Sequence, residues 1–395
     1  MNKKIITLIR FARVAPIGDV GTEPTPPIGL AYLSAMCKEA ETAEIYGIDA
    51  SGKNLNNFFN IPQYKMRGNG LTAEEVINLI DPNTSIFGVT SMFTHEWLYI
   101  RDCIKLLKRK YPKSVIVVGG EHASALTEYS LRDCKEIDYI SLGEGEETWR
   151  ELALKDDNNF RDVAGLAYLE NDQFIKTKVR ERIKRIDSIP WPDWDTFPIE
   201  PYLDNAISFG PGSGRNMPII ASRGCPYECT FCSNPIMFGR RYYVRDIEDL
   251  IRQIKYYIKR YKITGLQFYD LTVIIKKEWI VNFCNALIEN NINLQWSLPT
   301  GTRSEALDLD VIKALAKAKL TYLVYAPESG DEETLKRIKK KIKIPAVEQS
   351  VRWAVSQGIV IRTNLIIGFP GETRKQVYRT LWQQLKFIFM GVEES

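Results

Sequence analysis

Three cysteines carry the most specific chemistry in the sequence: Cys225, Cys229 and Cys232, spaced C-x3-C-x2-C within the loop 222–235. That spacing fits one tight loop and can aim three thiolates at a single centre. Structural zinc wants four ligands, and no fourth cysteine or histidine lies nearby. The next cysteine, Cys284, falls inside an expected helix. Iron–sulfur clusters are usually held by four thiolates. Three thiolates on a 4Fe–4S cluster would leave one iron open to bind another molecule. The plainer alternative is a set of structural thiols or an incomplete zinc knuckle. Closely spaced cysteines in an intracellular chain, however, usually mean metal. The loop follows the apolar run 217–221, which reads as a short buried strand.

The bulk numbers fit soluble globular domains. The 395 residues are too many for one typical domain, so two or three are expected. Apolar content of 45% and charged content of 26% are ordinary. A net charge of +4, dispersed along the chain, argues against a nucleic-acid partner. The basic run 336–343 (KRIKKKIK) ends an expected helix and reads as a solvated face, where cations suit the helix dipole. Seven cysteines, no signal sequence and no apolar run long enough to span a membrane point to a reducing, cytoplasmic setting. His95 and His122 are the only histidines, too few for multi-histidine metal or acid–base chemistry.

The elements that position these residues follow from periodicity. Up to about residue 155, strands and helices alternate. Strands are expected at 4–11, 44–49, 85–90, 114–118 and 137–142, with helices between them. The helix 72–80 opens on a capping box, Thr72 with Glu75. Five strands with intervening helices make a doubly wound parallel sheet. Segments 163–168 and 173–178 read as a hairpin. The stretch 188–201, rich in proline and tryptophan, and the glycine-rich 210–216 read as linker. The expected division is 1–155, then a hairpin and linker over 156–215, then 216–395. Beyond 216 the alternation resumes. Strands are expected at 217–222, 264–269, 293–298, 321–326 and 360–367, each followed by a helix. This is the α/β pattern of a partial (β/α) barrel, with chemistry at the strand C-termini.

With Phe231 before its last cysteine, the loop resembles the signature of the radical S-adenosylmethionine (radical SAM) superfamily. The resemblance implies a 4Fe–4S cluster on Cys225, Cys229 and Cys232. It also implies S-adenosylmethionine on the open iron, cleaved by one electron to a 5′-deoxyadenosyl radical. Asp270, at the second strand end, would receive the amino group of the methionine moiety; capping a helix is the equal alternative. Arg303, after the third strand, has a site role or is an exposed loop arginine. Glu328-Ser329-Gly330 resembles the family stretch that meets the ribose and carboxylate, and Ser329 could also cap the next helix. Gly368-Phe369-Pro370-Gly371-Glu372 resembles the family turn whose backbone reads the adenine edge.

The amino-terminal half resembles the cobalamin-binding domain that precedes radical SAM domains in one large branch. That branch includes class B methylases and the anaerobic magnesium-protoporphyrin ester cyclase. The matching stretches are 26–33, Gly119-Gly120-Glu121-His122 and Gly143-Glu144-Gly145-Glu146, at strand-to-helix junctions where doubly wound sheets bind ligands. Small residues there let a planar macrocycle approach the backbone. Ser91, Met92, Phe93 and Thr94 form the loop expected beneath the corrin. The D-x-H-x-x-G loop that ligates cobalt through histidine is missing, so His122 is expected to be structural or to contact the nucleotide tail.

The resemblance implies an enzyme that transfers a methyl group to an unactivated carbon. The catalytic residues are not readable. A cyclase or oxidative rearrangement is the rival, and a non-catalytic cofactor-binding protein a further one. Implied partners are a small-molecule substrate of natural-product, lipid or tetrapyrrole type and an electron donor such as flavodoxin or ferredoxin. The family normally continues past the fifth strand and helix, whereas this sequence stops at Ser395. A fragment, a short member or a pocket closed by a partner is therefore expected.

Overall fold

The computed structural model describes residues 3–18, 24–208 and 214–394. Chain contacts divide it into two compact units, 1–202 with 236–238, and 203–235 with 239–395.

The first unit is built on seven strands: β1 (Lys4–Arg10), β2 (Ala43–Asp49), β3 (Ile86–Thr90), β4 (Val115–Gly119), β5 (Tyr139–Ser141), β6 (Leu166–Glu170) and β7 (Gln173–Lys176). They lie in the order β7-β6-β5-β4-β3-β1-β2. The first five are parallel, and β6 and β7 join antiparallel. The parallel part reads 2-1-3-4-5, a doubly wound order whose direction switches between β1 and β3. Its main helices are α1 (Ile28–Lys38), α2 (Ala73–Asn78), α3 (Trp97–Lys110), α4 (Glu121–Ala125) and α5 (Glu146–Leu154). Helix α3 shows why these segments are helical: Trp97, Ile100, Ile104 and Leu107 recur at three- and four-residue spacing and are buried. The capping box of α2 forms in both directions between Thr72 and Glu75. A separate antiparallel sheet joins Arg13–Pro16, Met66–Asn69 and Phe58–Ile61.

The expected hairpin forms as β6 and β7, and Ile140 pairs with Ala167, which adds it to the sheet edge. One sequence expectation is corrected: the stretch 188–201 is packed, with Trp194, Phe197 and Ile199 buried. Asp193 anchors it to α1, through Ser34 Oγ at 2.6 Å and Lys38 Nζ at 2.7 Å. Its prolines break regular structure, while its aromatics still bury apolar area. Most of the glycine-rich stretch from Gly210 lies outside the described residues.

The second unit contains β8 (Asn216–Ile219), β9 (Gly265–Phe268), β10 (Gln295–Thr302), β11 (Leu320–Glu328) and β12 (Val360–Leu365). They form a parallel sheet in chain order. Between and after them come α6 (Ile247–Tyr261), α7 (Lys277–Glu289), α8 (Leu309–Lys317), α9 (Glu332–Arg337), α10 (Ile344–Ser356) and α11 (Arg374–Phe389). Consecutive parallel strands need such crossovers. The strand C-termini therefore carry the cysteine loop, Asp270, Arg303, Glu328 and the Gly368–Gly371 turn.

Candidate functional site

The cysteine loop leaves β8 through a miniature antiparallel ladder, Ser222–Arg223 against Tyr243–Val244. Asp270, 1% exposed, accepts from Ala221 N at 3.0 Å, from Ser222 Oγ at 2.6 Å and from Ser222 N. It caps no helix: the residue before α7 is Lys276. Its carboxylate instead fixes the point where the chain enters the loop. Burial pushes its pKa up to about 6, against the pull of those hydrogen bonds.

Further along, Thr230 N donates to Ile338 O at 3.0 Å, and Cys232 N to Cys229 O at 3.1 Å. Asn234 Nδ2 donates to Cys225 O at 3.3 Å and to Gly239 O at 3.2 Å, closing the loop's base. Cys225 and Cys229 are half-buried and Cys232 is exposed. Among the described residues no three His, Cys, Asp or Glu side chains stand together as a metal site.

The other strand ends meet this loop. Phe231 packs on Phe369, ring centroids 5.6 Å apart, which brings the Gly368–Gly371 turn alongside. Both glycines have positive φ, +98° and +77°, which a side chain would resist. Gly368 N donates to Glu372 Oε2 at 2.8 Å. Arg303 is no exposed loop residue. It is 5% exposed, lies 3.5 Å above the Tyr227 ring and donates to Lys341 O at 2.6 Å.

Glu328 holds a left-handed backbone, φ +68°, which costs a non-glycine residue roughly 1–2 kcal/mol. It pairs at 2.9 Å with Lys340, only 8% exposed. Burial raises the Glu328 pKa, and Lys340 opposes that. Ser329 is fully buried against Thr380 at 3.0 Å; the cap of α9 is Asp331, not Ser329. Lys340 is the site residue the sequence hid, because its basic run reads as a solvated face. The pairing needs Glu328 and Lys340 to be brought together by the return from α9.

In the first unit, the ends of β3, β4 and β5 share one edge, Thr90 facing Gly119 and Val118 facing Ile140. Ser91 N donates to Gly119 O at 2.7 Å. Gly120 has φ +108°, and a Cβ there would sit 2.4 Å from Ser91 O, so only glycine fits. Met92 and Phe93 stand exposed on this loop. Ser91 Oγ and Ser141 Oγ are buried with no protein partner. Gly143 N donates to Ser124 Oγ at 3.1 Å, and Gly145 precedes α5. Glu144 pairs with Arg182 at 3.0 Å. His122 is buried, its Nδ1 3.1 Å from Thr94 Oγ1 and its Nε2 3.3 Å from Ser130 Oγ. Burial lowers its pKa.

Residues 219–381 match the radical SAM superfamily, and residues 15–153 match the B12 binding domain. The chain carries both domains. Over 359 residues it is 29% identical to an uncharacterized methyltransferase of Pyrococcus horikoshii, covering 90% of this chain and 72% of that protein. It is 25% identical over 367 residues to the anaerobic magnesium-protoporphyrin IX monomethyl ester cyclase of Cereibacter sphaeroides, covering 90% of this chain and 56% of the cyclase. The fold is shared with a radical S-adenosylmethionine methyltransferase from Kitasatospora setae. The TM-score is 0.72 at 18% identity, over 98% of this chain and 72% of that one.

The cofactors that go with these domains are a 4Fe–4S cluster, S-adenosylmethionine and cobalamin. The residues fit them. In the radical SAM domain three thiols share a loop beside two buried cations. Burial raises the Cys225 thiol, while Arg303 and Lys340 pull it down. In the B12-binding domain, the unpartnered hydroxyls of Ser91 and Ser141, the exposed Met92 and Phe93 and the close approach at Gly120 suit a large, partly apolar ligand. Among the described residues no helix is long and apolar enough to cross a membrane.

Proposed function

We propose that the chain is a cobalamin-dependent radical SAM enzyme that transfers a methyl group to an unactivated carbon of a small molecule. The observation that carries this reading is the three-thiol loop at a strand C-terminus, in one chain with a B12-binding domain. When bound, the cofactors would supply the radical chemistry and the methyl carrier. Cys225, Cys229 and Cys232 would hold the cluster, with Asp270 fixing where their loop begins. Arg303, Glu328 with Lys340, and the backbone of Gly368 and Gly371 would orient S-adenosylmethionine. Phe231, packed on Phe369, would close one side of that space. Buried Ser329 would steady the Glu328 turn from behind. Ser91, Met92, Gly119, Gly120, Gly143, Glu144 and Gly145 would line the corrin side of the B12-binding domain. His122, with both ring nitrogens engaged, would stay off the cobalt.

Methyl transfer of this kind consumes S-adenosylmethionine in two ways, giving 5′-deoxyadenosine and S-adenosylhomocysteine. The test is anaerobic reconstitution with both cofactors and dithionite, followed by assay of both products. 5′-Deoxyadenosine without S-adenosylhomocysteine would overturn methyl transfer. It would instead favour ring closure or oxidation, the reading that the likeness to the cyclase supports.

A further inference from the structure

Just past the cysteine loop the chain makes a short excursion. By its contacts Ile236–Phe238 belongs to the first unit, although Pro235 before it and Gly239 after it belong to the second. The excursion completes a single helical turn, Asn234–Met237, that starts two residues after Cys232. Asn234, 2% exposed, clasps its root: Nδ2 donates to Cys225 O at 3.3 Å and to Gly239 O at 3.2 Å. Within the first unit the segment packs just beyond the C-terminal end of β5. A Cβ on Gly143 would lie 3.0 Å from Met237 O, and Gly143 already holds φ +65°, so this approach needs glycine. Arg182, paired with Glu144 at 3.0 Å, lies over the Phe238 ring at 5.7 Å. Gly143 and Glu144 are two of the residues assigned above to the corrin side, so the segment stands on their edge.

Its composition is unlike that of a surface turn. Ile236, Met237 and Phe238 are three apolar residues in succession; Ile236 is 57% exposed and neither of the others is buried. Such runs are kept off a surface unless they serve a function. Met92 and Phe93, also exposed, follow β3 on the same edge of the sheet. Apolar side chains therefore collect beside Gly120 and Gly143, at the edge where the backbone is most open to approach. A corrin ring, with its many methyl groups beside its amide side chains, matches such a surface.

We propose that Ile236 and Phe238 form part of the wall that holds cobalamin, with Ile236 against the macrocycle and Phe238 steadied behind it by Arg182. The inference rests on the cobalamin reading above and extends it to residues outside the B12-binding domain. The match to that domain ends at residue 153, so the domain alone lacks this part of the wall. Ile236 follows the last cluster cysteine by four residues. One short stretch, clasped by Asn234, thus carries a cluster ligand and a corrin contact.

The test measures binding of hydroxocobalamin to the full chain by equilibrium dialysis, with the induced circular dichroism of the corrin bands as a second readout. Ile236→Ser should weaken binding about tenfold through lost apolar contact, and alter the dichroism. Ile236→Ser/Phe238→Ser should weaken it further, and Ile236→Leu should restore both readouts. Val179→Ser, at an 85% exposed apolar residue of the same unit, should match wild type. Dicyanocobinamide, which lacks the nucleotide tail, should show the same relative losses, because the contact is to the ring. Iron and sulfide uptake on anaerobic reconstitution should stay at the wild-type ratio in Ile236→Ser. Wild-type affinity and dichroism in Ile236→Ser would overturn the proposal. A loss seen with hydroxocobalamin and absent with dicyanocobinamide would also overturn it and assign the segment to the tail. Iron and sulfide lost together with cobalamin would overturn it as well, leaving the segment a structural part of the cysteine loop. No binding of hydroxocobalamin by the wild-type chain would overturn the cobalamin reading, and this proposal with it.

Discussion

The Asp270 carboxylate receives three hydrogen bonds, yet it ionises less readily than an exposed aspartate. Burial raises its pKa to about 6, against about 3.9 in an unfolded chain. The folded state therefore binds the extra proton. The stability it contributes is fully present below about pH 3.9 and is lost as pH rises through about 6, to the extent of about 3 kcal/mol. In Asp270→Asn, one carbonyl must serve Ala221 N, Ser222 N and Ser222 Oγ. That leaves a buried donor unmet, so a loss of about 1–3 kcal/mol at pH 7 is expected. Urea unfolding across pH 4–7 checks both effects, because the variant should also lose the slope between pH 4 and 6. A slope identical to wild type would place the titration elsewhere. At His122 the expected outcome is the reverse, an absence of change. Both ring nitrogens face protein hydroxyls, and burial keeps the ring neutral at pH 7. His122→Ala should leave the absorption bands of bound cobalamin in place. A displaced cobalt band would make His122 a ligand.

Helix α11 inverts the usual pattern for a surface helix. Gln376, Thr380 and Gln383 face inward with Phe387, while Tyr378, Trp382, Leu385 and Phe389 face outward, Trp382 60% and Phe389 87% exposed. Along its first turns the inner anchors are hydrogen bonds: Gln376 Nε2 to Asp331 Oδ1 at 2.9 Å, and Gly330 N to Thr380 Oγ1 at 3.1 Å. Gln376→Leu should therefore cost about 1–3 kcal/mol by leaving Asp331 short of a donor. Trp382→Lys should stay within about 0.5 kcal/mol and reduce self-association. Urea unfolding and light scattering measure the two, and a Trp382→Lys variant as damaged as Gln376→Leu would refute the inversion. A periodic apolar stripe thus located this helix in sequence but not which face it buries. The parallel strands were legible because buried strands are apolar runs bounded by turn residues. The place of β6 and β7 in the first sheet was not, since a hairpin pattern does not name the edge it joins. Nor was the packing of 188–201, where proline signals a break and is silent on burial. Among candidate site residues, the cysteines stood out by spacing. Lys340 did not, because only the fold sets it against Glu328.

Across the whole molecule, the two cofactor sites are built from different units and depend on different interactions. The B12-binding edge rests on β3, β4 and β5 and on close approaches such as Gly120 to Ser91. The cysteine loop rests on β8, on Asp270 and on its ties to Ile338 and Asn234. None of the three thiols is fully buried, so removing them leaves no large apolar cavity of the kind that destabilises cores. Replacing Cys225, Cys229 and Cys232 together by alanine should then abolish iron and sulfide uptake on anaerobic reconstitution. Cobalamin should still bind at the wild-type ratio, and the urea midpoint should stay near wild type. This variant asks whether the two sites respond independently to substitution. Iron and sulfide retained at the wild-type ratio would remove the cysteines from the cluster. Cobalamin lost along with the iron would show that the two cofactors depend on each other for binding.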